Sequence, residues 1–123
     1  MTTLPLWIAA GVAAFICAVH AIAGGKDTAR PIKASRDLDT TAKHTGLLVW
    51  HLFTVALAQL GALFAAAAYW DSQPLAIAAT LFSLTYAITA LIYPLVAKVS
   101  FKVLPQATMF AGLTLLGTIA ATS

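Results

Sequence analysis

Four long runs of apolar residues, separated by short polar segments, dominate the pattern along the chain. The runs cover about residues 4–23, 46–68, 75–97 and 106–122. An α-helix needs about twenty apolar residues to cross a bilayer core of about 30 Å, and each run is close to that length. The pattern predicts one domain over residues 1–123, an all-α integral membrane four-helix bundle.

The composition agrees with this pattern and excludes several classes of protein. The chain is 61% hydrophobic and 9% charged, whereas soluble domains are about 45–50% apolar and about 25% charged. A large soluble catalytic domain and an intrinsically disordered chain are therefore both excluded. Cys17 is the only cysteine, so no disulfide framework is present.

The positive charges predict how the bundle is oriented. All seven basic residues lie in two polar segments, which follow the first and third apolar runs: Lys26, Arg30, Lys33, Arg36 and Lys43, then Lys98 and Lys102. Short loops rich in Lys and Arg stay cytoplasmic. We therefore expect both termini to face the periplasm or exterior, and a long cytoplasmic loop over 25–45 between helices 1 and 2. Topology accounts for the basic residues, and no nucleic-acid partner is expected, because nucleic-acid binding needs a folded basic face with stacking aromatics.

Small residues at four-residue spacing indicate where helices approach closely. Close backbone contact drives helix association in lipid, where the hydrophobic effect between helices is weak. The spacing of four is found in the first two runs, at Ala10, Ala14 and Ala18, then at Gly61 and Ala65. In the fourth run, Gly112 and Gly117 are spaced five apart and fit this pattern less well.

The apolar runs contain no charged residue, which argues against ion-coupled pumps and proton-driven exporters. Small four-helix multidrug exporters match the chain in size, but they carry an essential membrane glutamate and this sequence has no Glu. The remaining polar candidates inside the runs include Gln59, expected to donate a hydrogen bond between helices, and Tyr86.

His20 and His51 form the most specific candidate site in the sequence. His20 lies near the end of the first run and His51 near the start of the second, so both are expected at a similar depth on neighbouring antiparallel helices. The simplest interpretation is structural: each imidazole bonds to a carbonyl or a threonine, and no cofactor is bound. A second is haem b held by both histidines, which requires the two helices to splay.

A third interpretation is a small metal or quinone site. Cys17 and His20 are three residues apart on one helix face, so with His51 they make a Cys/His₂ ligand set for copper or zinc. A quinone would instead need a pocket with one or two polar groups, such as His51 with Gln59 or Tyr86.

The run from His20 to Gly24-Gly25, followed by Arg30-Pro31 and Trp50-His51, resembles a pattern in small uncharacterised four-span proteins of bacterial inner membranes. The resemblance covers the first two runs, about half the chain. It implies a four-span fold and a bacterial inner-membrane location, and it carries no activity and no functional residue.

Three hypotheses for function follow. The first is a non-enzymatic structural, accessory or assembly subunit, forming a homo-oligomer or joining a larger membrane complex. The second is a redox protein that binds haem or a metal through His20 and His51. The third is a small oligomeric transporter or channel, with its polar line on the Thr-rich and Ser-rich faces of the last two runs.

Overall fold

The computed structural model describes all 123 residues, and they form helices and no strand. The all-α prediction is confirmed. The order is α1 (Leu4–Val19), a π-helix (His20–Ala29), α2 (Arg30–Ala34), α3 (Thr40–Tyr69), α4 (Gln73–Ala97) and α5 (Gln106–Thr122). Helical backbone is continuous over Leu4–Ala34, so the chain makes four long helical segments.

The four segments pack in a ring in which chain neighbours run antiparallel. α1 lies against α3 and α5, and α4 lies against the same two helices. The most extensive contacts are within the pairs α1/α3 and α4/α5. One end of the bundle holds the turn at 70–72 and both ends of the chain, where the Thr2 N–H donates to Ser123 Oγ at 3.0 Å. We call this the terminal end, and we call the opposite end, with the connections 35–39 and 98–105, the basic end.

Three of the helical segments are long and apolar enough to cross a membrane: Leu4–Ala34, Thr40–Tyr69 and Gln73–Ala97. α5 is apolar but has only 17 residues, about 25 Å at 1.5 Å per residue. Large apolar side chains point outward from the bundle, including Phe15 and Val96 at 66% and 76% exposure. This distribution suits helices that face lipid.

The first helix does not end at Gly24-Gly25, and the prediction of a long loop over 25–45 is wrong. Helical backbone continues to Ala34, and only residues 35–39 connect it to α3. Tertiary contact sustains the helix where the local sequence disfavours it, because Gly24 packs on Trp50 and Ile32 approaches Gly46. The helix changes its winding there: the Arg30 N–H donates to the carbonyl five residues earlier, that of Gly25.

The tightly packed core lies toward the terminal end. A Cβ at Gly61 would lie 3.5 Å from Ala13 Cβ and 3.6 Å from the Ala10 carbonyl oxygen, so α1 and α3 meet where the small residues predict. Gly117 packs in the same way beside Thr80 in α4. The buried apolar residues of this half include Leu6, Ala9, Ala13, Phe64, Ala67, Ala76, Ala79, Leu113 and Ala120. The bundle is therefore filled at one end by small residues interleaved with a few large ones.

Candidate functional site

The basic-end half of the bundle encloses a cavity of about 790 Å³ that is partly open to the outside. Its walls come from the end of α1 and the π-helix, and from α3, α4, α5 and the segment that precedes α5. Ligand pockets in proteins have volumes of about 300–1,000 Å³, and most of their lining is apolar and aromatic with a few polar groups. The cavity meets this description in both size and lining.

Three aromatic rings from three helices lie edge to face at the cavity wall. Phe53 of α3, Tyr86 of α4 and Phe110 of α5 form this aromatic cluster. The ring centroids are 5.8 Å apart for Phe53 and Tyr86, and 5.4 Å apart for Tyr86 and Phe110. Edge-to-face contacts at such distances are favourable beyond the area that they bury. The aromatic cluster therefore gives the cavity a rigid wall.

On another wall, Trp50 lies between His20 and Gly24. The His20 and Trp50 rings are stacked, with centroids 3.8 Å apart and planes inclined by 18°. A Cβ at Gly24 would lie 2.6 Å from Trp50 Cη2, so only glycine leaves room for the indole in this position. His20 and Gly24 are four residues apart in the first helical segment. The indole thereby joins the π-helix to α3.

His20 has two further neighbours that hold its ring in place. Its Nε2 lies 3.4 Å from the Trp50 carbonyl oxygen, which also accepts a hydrogen bond of 3.0 Å from Thr54 Oγ1. The edge of Phe53 meets the His20 ring with centroids 5.2 Å apart. The imidazole is thus half-buried, held on one face, and part of the cavity lining.

Few polar groups reach the cavity, and several hydroxyls are already occupied. Thr85 Oγ1 donates to the Leu81 carbonyl at 2.8 Å, and Thr89 Oγ1 donates to the Thr85 carbonyl at 2.9 Å. The lining also includes Thr28 and Gln106, close to the basic end. No buried side-chain nitrogen or oxygen in the chain lacks a hydrogen-bond partner. Polar groups available to a ligand therefore include Thr28 and Gln106 in the basic-end part of the cavity, which Gly46 and Leu104 also line and which we call the mouth.

The residues of the metal and haem hypotheses have different environments in the structure. His20 lines the cavity, whereas His51 is exposed and is absent from the lining. Cys17 is half-buried, and its thiol donates to the Thr54 carbonyl at 3.6 Å. No group of three His, Cys, Asp or Glu side chains is close enough to hold a metal ion. Trp50, not His51, is the α3 residue that faces His20.

Gln59 and Tyr86, the other polar candidates, have different environments. Tyr86 is half-buried and belongs to the aromatic cluster of the cavity. Gln59 is exposed on the outer face of α3. The hydroxyl groups of α4 and α5 donate within their own helices: each bonds to a carbonyl four residues earlier, at Thr80, Ser83, Thr114 and Thr118.

Few features of the sequence indicate the cavity. Trp50 is readily interpreted as a residue at the membrane interface, because tryptophan is enriched there. Its spacing from Phe53 places two aromatic rings one turn apart on α3, next to His20. Comparison with protein-family models, with curated proteins and with solved structures finds no match to this chain.

Proposed function

We propose that this chain is a multi-pass membrane protein that binds a lipid-soluble small molecule in the basic-end cavity. The cavity itself, about 790 Å³ between helices with a mainly apolar wall, is the observation that carries the proposal. The membrane is the bacterial inner membrane, with the basic end cytoplasmic, since Lys-rich and Arg-rich loops are retained on that side. Both termini then face the periplasm.

The size and the walls of the cavity favour an organic ligand over water. A water molecule occupies about 30 Å³ in the liquid and needs two to four polar partners inside a protein. The aromatic cluster offers such partners only at the Tyr86 hydroxyl. In lipid the hydrophobic effect does not drive an apolar ligand into a protein, so shape and a few hydrogen bonds select it. The His20 edge and the Gln106 amide are placed for that role.

Trp50 supplies a direct test. Trp7 and Trp70 lie at the terminal end, so a Trp7→Phe/Trp70→Phe variant reports on the cavity through Trp50 alone. We would titrate this variant in nanodiscs with dibromo-octadecanol, a neutral chain whose bromines quench indole fluorescence. A ligand-binding cavity predicts saturable quenching of Trp50. A matched variant that retains only Trp7 gives the background from bulk lipid.

Cavity-filling variants then distinguish binding from collision. Ala90→Phe and Val49→Phe place a ring in the cavity from two different helices, and both should abolish the saturable part of the quenching. Ala97→Phe adds the same ring to an exposed position of α4 outside the lining and should leave the quenching unchanged. Linear quenching that is identical in all of these variants would contradict the proposal.

Gln59 favours a second function, that of a subunit in a membrane assembly. Gln59 is ten residues from the end of α3, about 15 Å along the helix axis, which is mid-membrane in the proposed orientation. Its amide is exposed there, and an amide in hydrocarbon gains by bonding to another helix. A second copy of the chain, or another subunit, would supply the partner.

Self-association in lipid tests this second proposal. Gln59→Leu should weaken it by roughly threefold to thirtyfold, since hydrogen bonds between membrane helices contribute about 0.6–2 kcal/mol. Gln59→Asn retains the amide and should restore most of the association. Fluorescence energy transfer between labelled copies, measured as the protein is diluted with lipid, gives the dissociation constant. Equal dissociation constants for Gln59→Leu and the wild type would show that Gln59 does not contribute to self-association.

A further inference from the structure

The basic end carries nearly all of the charge of the chain. Its seven Lys and Arg residues and three Asp residues leave four net positive charges there, whereas Asp71 is the only charged side chain at the terminal end. The mouth, the part of the cavity that Thr28, Gly46, Leu104 and Gln106 line, belongs to this same end. A charged part of any ligand at the mouth would therefore lie in a positive potential, which favours an anion.

Two lysines lie on two different segments beside the mouth. Lys43 is three residues, about one helical turn, from Gly46, and Lys102 is two residues from Leu104, and both neighbours line the cavity. Lys102 is exposed and Lys43 is half-buried. Their flexible four-carbon side chains allow the ammonium groups to reach a headgroup while the stems cover apolar surface.

The polarity of the lining changes along the cavity in a way that suits an amphiphile. The inner part is formed by apolar and aromatic side chains, including Leu57 and Phe110. Thr28 and Gln106 line the mouth. Basic pockets between membrane helices on the cytoplasmic side bind anionic lipid headgroups. A negative headgroup at the mouth would be attracted by the positive potential there, whereas a neutral ring or chain would gain nothing from it.

We propose that the ligand is an anionic amphiphile, with its alkyl chain in the cavity and its headgroup beside Lys43 and Lys102. This inference rests on the proposed ligand-binding function and adds the charge of the ligand. The shared chemistry is a negative headgroup on an alkyl chain, and a free fatty acid or an anionic phospholipid would supply it.

The Trp50-only variant tests the charge. Dibromostearate and dibromo-octadecanol have the same chain length and differ in the charge of the headgroup. Brominated phosphatidylglycerol and brominated phosphatidylcholine make the same comparison for phospholipids. We expect the preferred anionic probe to reach half-saturation at a concentration at least tenfold lower than its uncharged or zwitterionic counterpart, and the preference to shrink in high salt. Preference for the stearate indicates a fatty acid, and preference for the phosphatidylglycerol indicates a phospholipid.

Single charge removals identify the residues. Lys43→Gln and Lys102→Gln should each weaken binding of the preferred anionic probe by about fivefold, the contribution expected of one basic residue near a lipid headgroup. Arg36→Gln removes the same charge from the connection 35–39, away from the lining, and should have a smaller effect. Each variant should leave quenching by dibromo-octadecanol unchanged.

The outcomes separate this inference from the function on which it rests. Equal half-saturation for charged and uncharged probes, with saturable quenching of Trp50, would overturn the anionic ligand and leave the binding function intact. Absence of saturable quenching by every probe would overturn both. An equal loss in Arg36→Gln and in the two lysine variants would overturn the placement of the headgroup at the mouth.

Discussion

The indole of Trp50 lies flat against the imidazole of His20, with ring centroids 3.8 Å apart, and its far edge rests on Gly24. This stack joins α3 to the first helical segment at the place where that segment changes from α to π winding. Below it, toward the terminal end, the bundle is filled by packed side chains. Beside it, the bundle encloses the cavity.

The contact between Gly24 and Trp50 predicts a large effect from one added methyl group. Gly24→Ala places a Cβ 2.6 Å from Trp50 Cη2, so the indole must move away from His20. We expect a loss of about 1–3 kcal/mol in the free energy of unfolding, the usual cost of overpacking. Unfolding in mixed detergent measures it, and the emission maximum of Trp50 should shift.

Gly25→Ala is the matched control, because nothing lies within 4 Å of a Cβ at Gly25. It adds the same methyl group one residue further along the same π-helix. Equal stability of the two alanine variants would show that the indole does not rest on Gly24.

A second glycine pair tests the packing of α4 against α5. A Cβ at Gly117 would overlap Thr80 Oγ1 and lie 3.1 Å from Phe64 Cε1, whereas Gly112 has open space. Gly117→Ala should therefore lower the free energy of unfolding by about 1–3 kcal/mol. Gly112→Ala should be neutral or slightly stabilising, since alanine favours a helix more than glycine. The opposite order in thermal unfolding would place the interface on the Gly112 face.

His20 and His51 are predicted to differ in their effect on ligand binding. His20→Ala removes the ring that holds Trp50 at the cavity wall, and an aromatic contact contributes about 0.5–1.5 kcal/mol. The half-saturation concentration for quenching of Trp50 should rise by roughly twofold to tenfold in His20→Ala. His51→Ala should leave it unchanged, since His51 is exposed and lies outside the lining. Equal losses in both variants would instead favour the paired-histidine site.

Asp39 caps α3, and its substitution is expected to change stability alone. Its Oδ1 accepts a hydrogen bond of 2.7 Å from the Ala42 N–H. Asp39→Ala should reduce the free energy of unfolding by about 1 kcal/mol. Asp37→Ala removes the same charge from the same connection and has no such bond to lose. Chemical unfolding of the two variants at one detergent composition measures the difference between their free energies of unfolding.

The sequence predicted the helices well because the apolar runs are long and nearly all of the charged residues lie in the segments that connect them at one end of the bundle. Contact between α1 and α3 at Gly61 also followed from small-residue spacing. The continuation of the first helix past Gly24-Gly25 did not, because contacts with Trp50 and Gly46 outweigh the local preference of a glycine pair. Local propensity is a weak predictor where tertiary packing decides.

Whether His20 and His51 face each other could not be predicted from the sequence, for a different reason. The helices are apolar on every side, so no polar face fixes their rotation, and a rotation of about 100° separates consecutive residues such as Trp50 and His51. The cavity arises from the relative placement of four helical segments, three of which meet at Phe53, Tyr86 and Phe110. Nothing in the pattern of a single helix encodes that placement.

Native mass spectrometry of the protein, released from its own membrane in nanodiscs, shows whether the cavity holds a ligand. We expect one bound small molecule for each wild-type chain, retained in Ala97→Phe and lost in Ala90→Phe. An unliganded wild-type chain, or a bound molecule retained equally in Ala90→Phe, would contradict it.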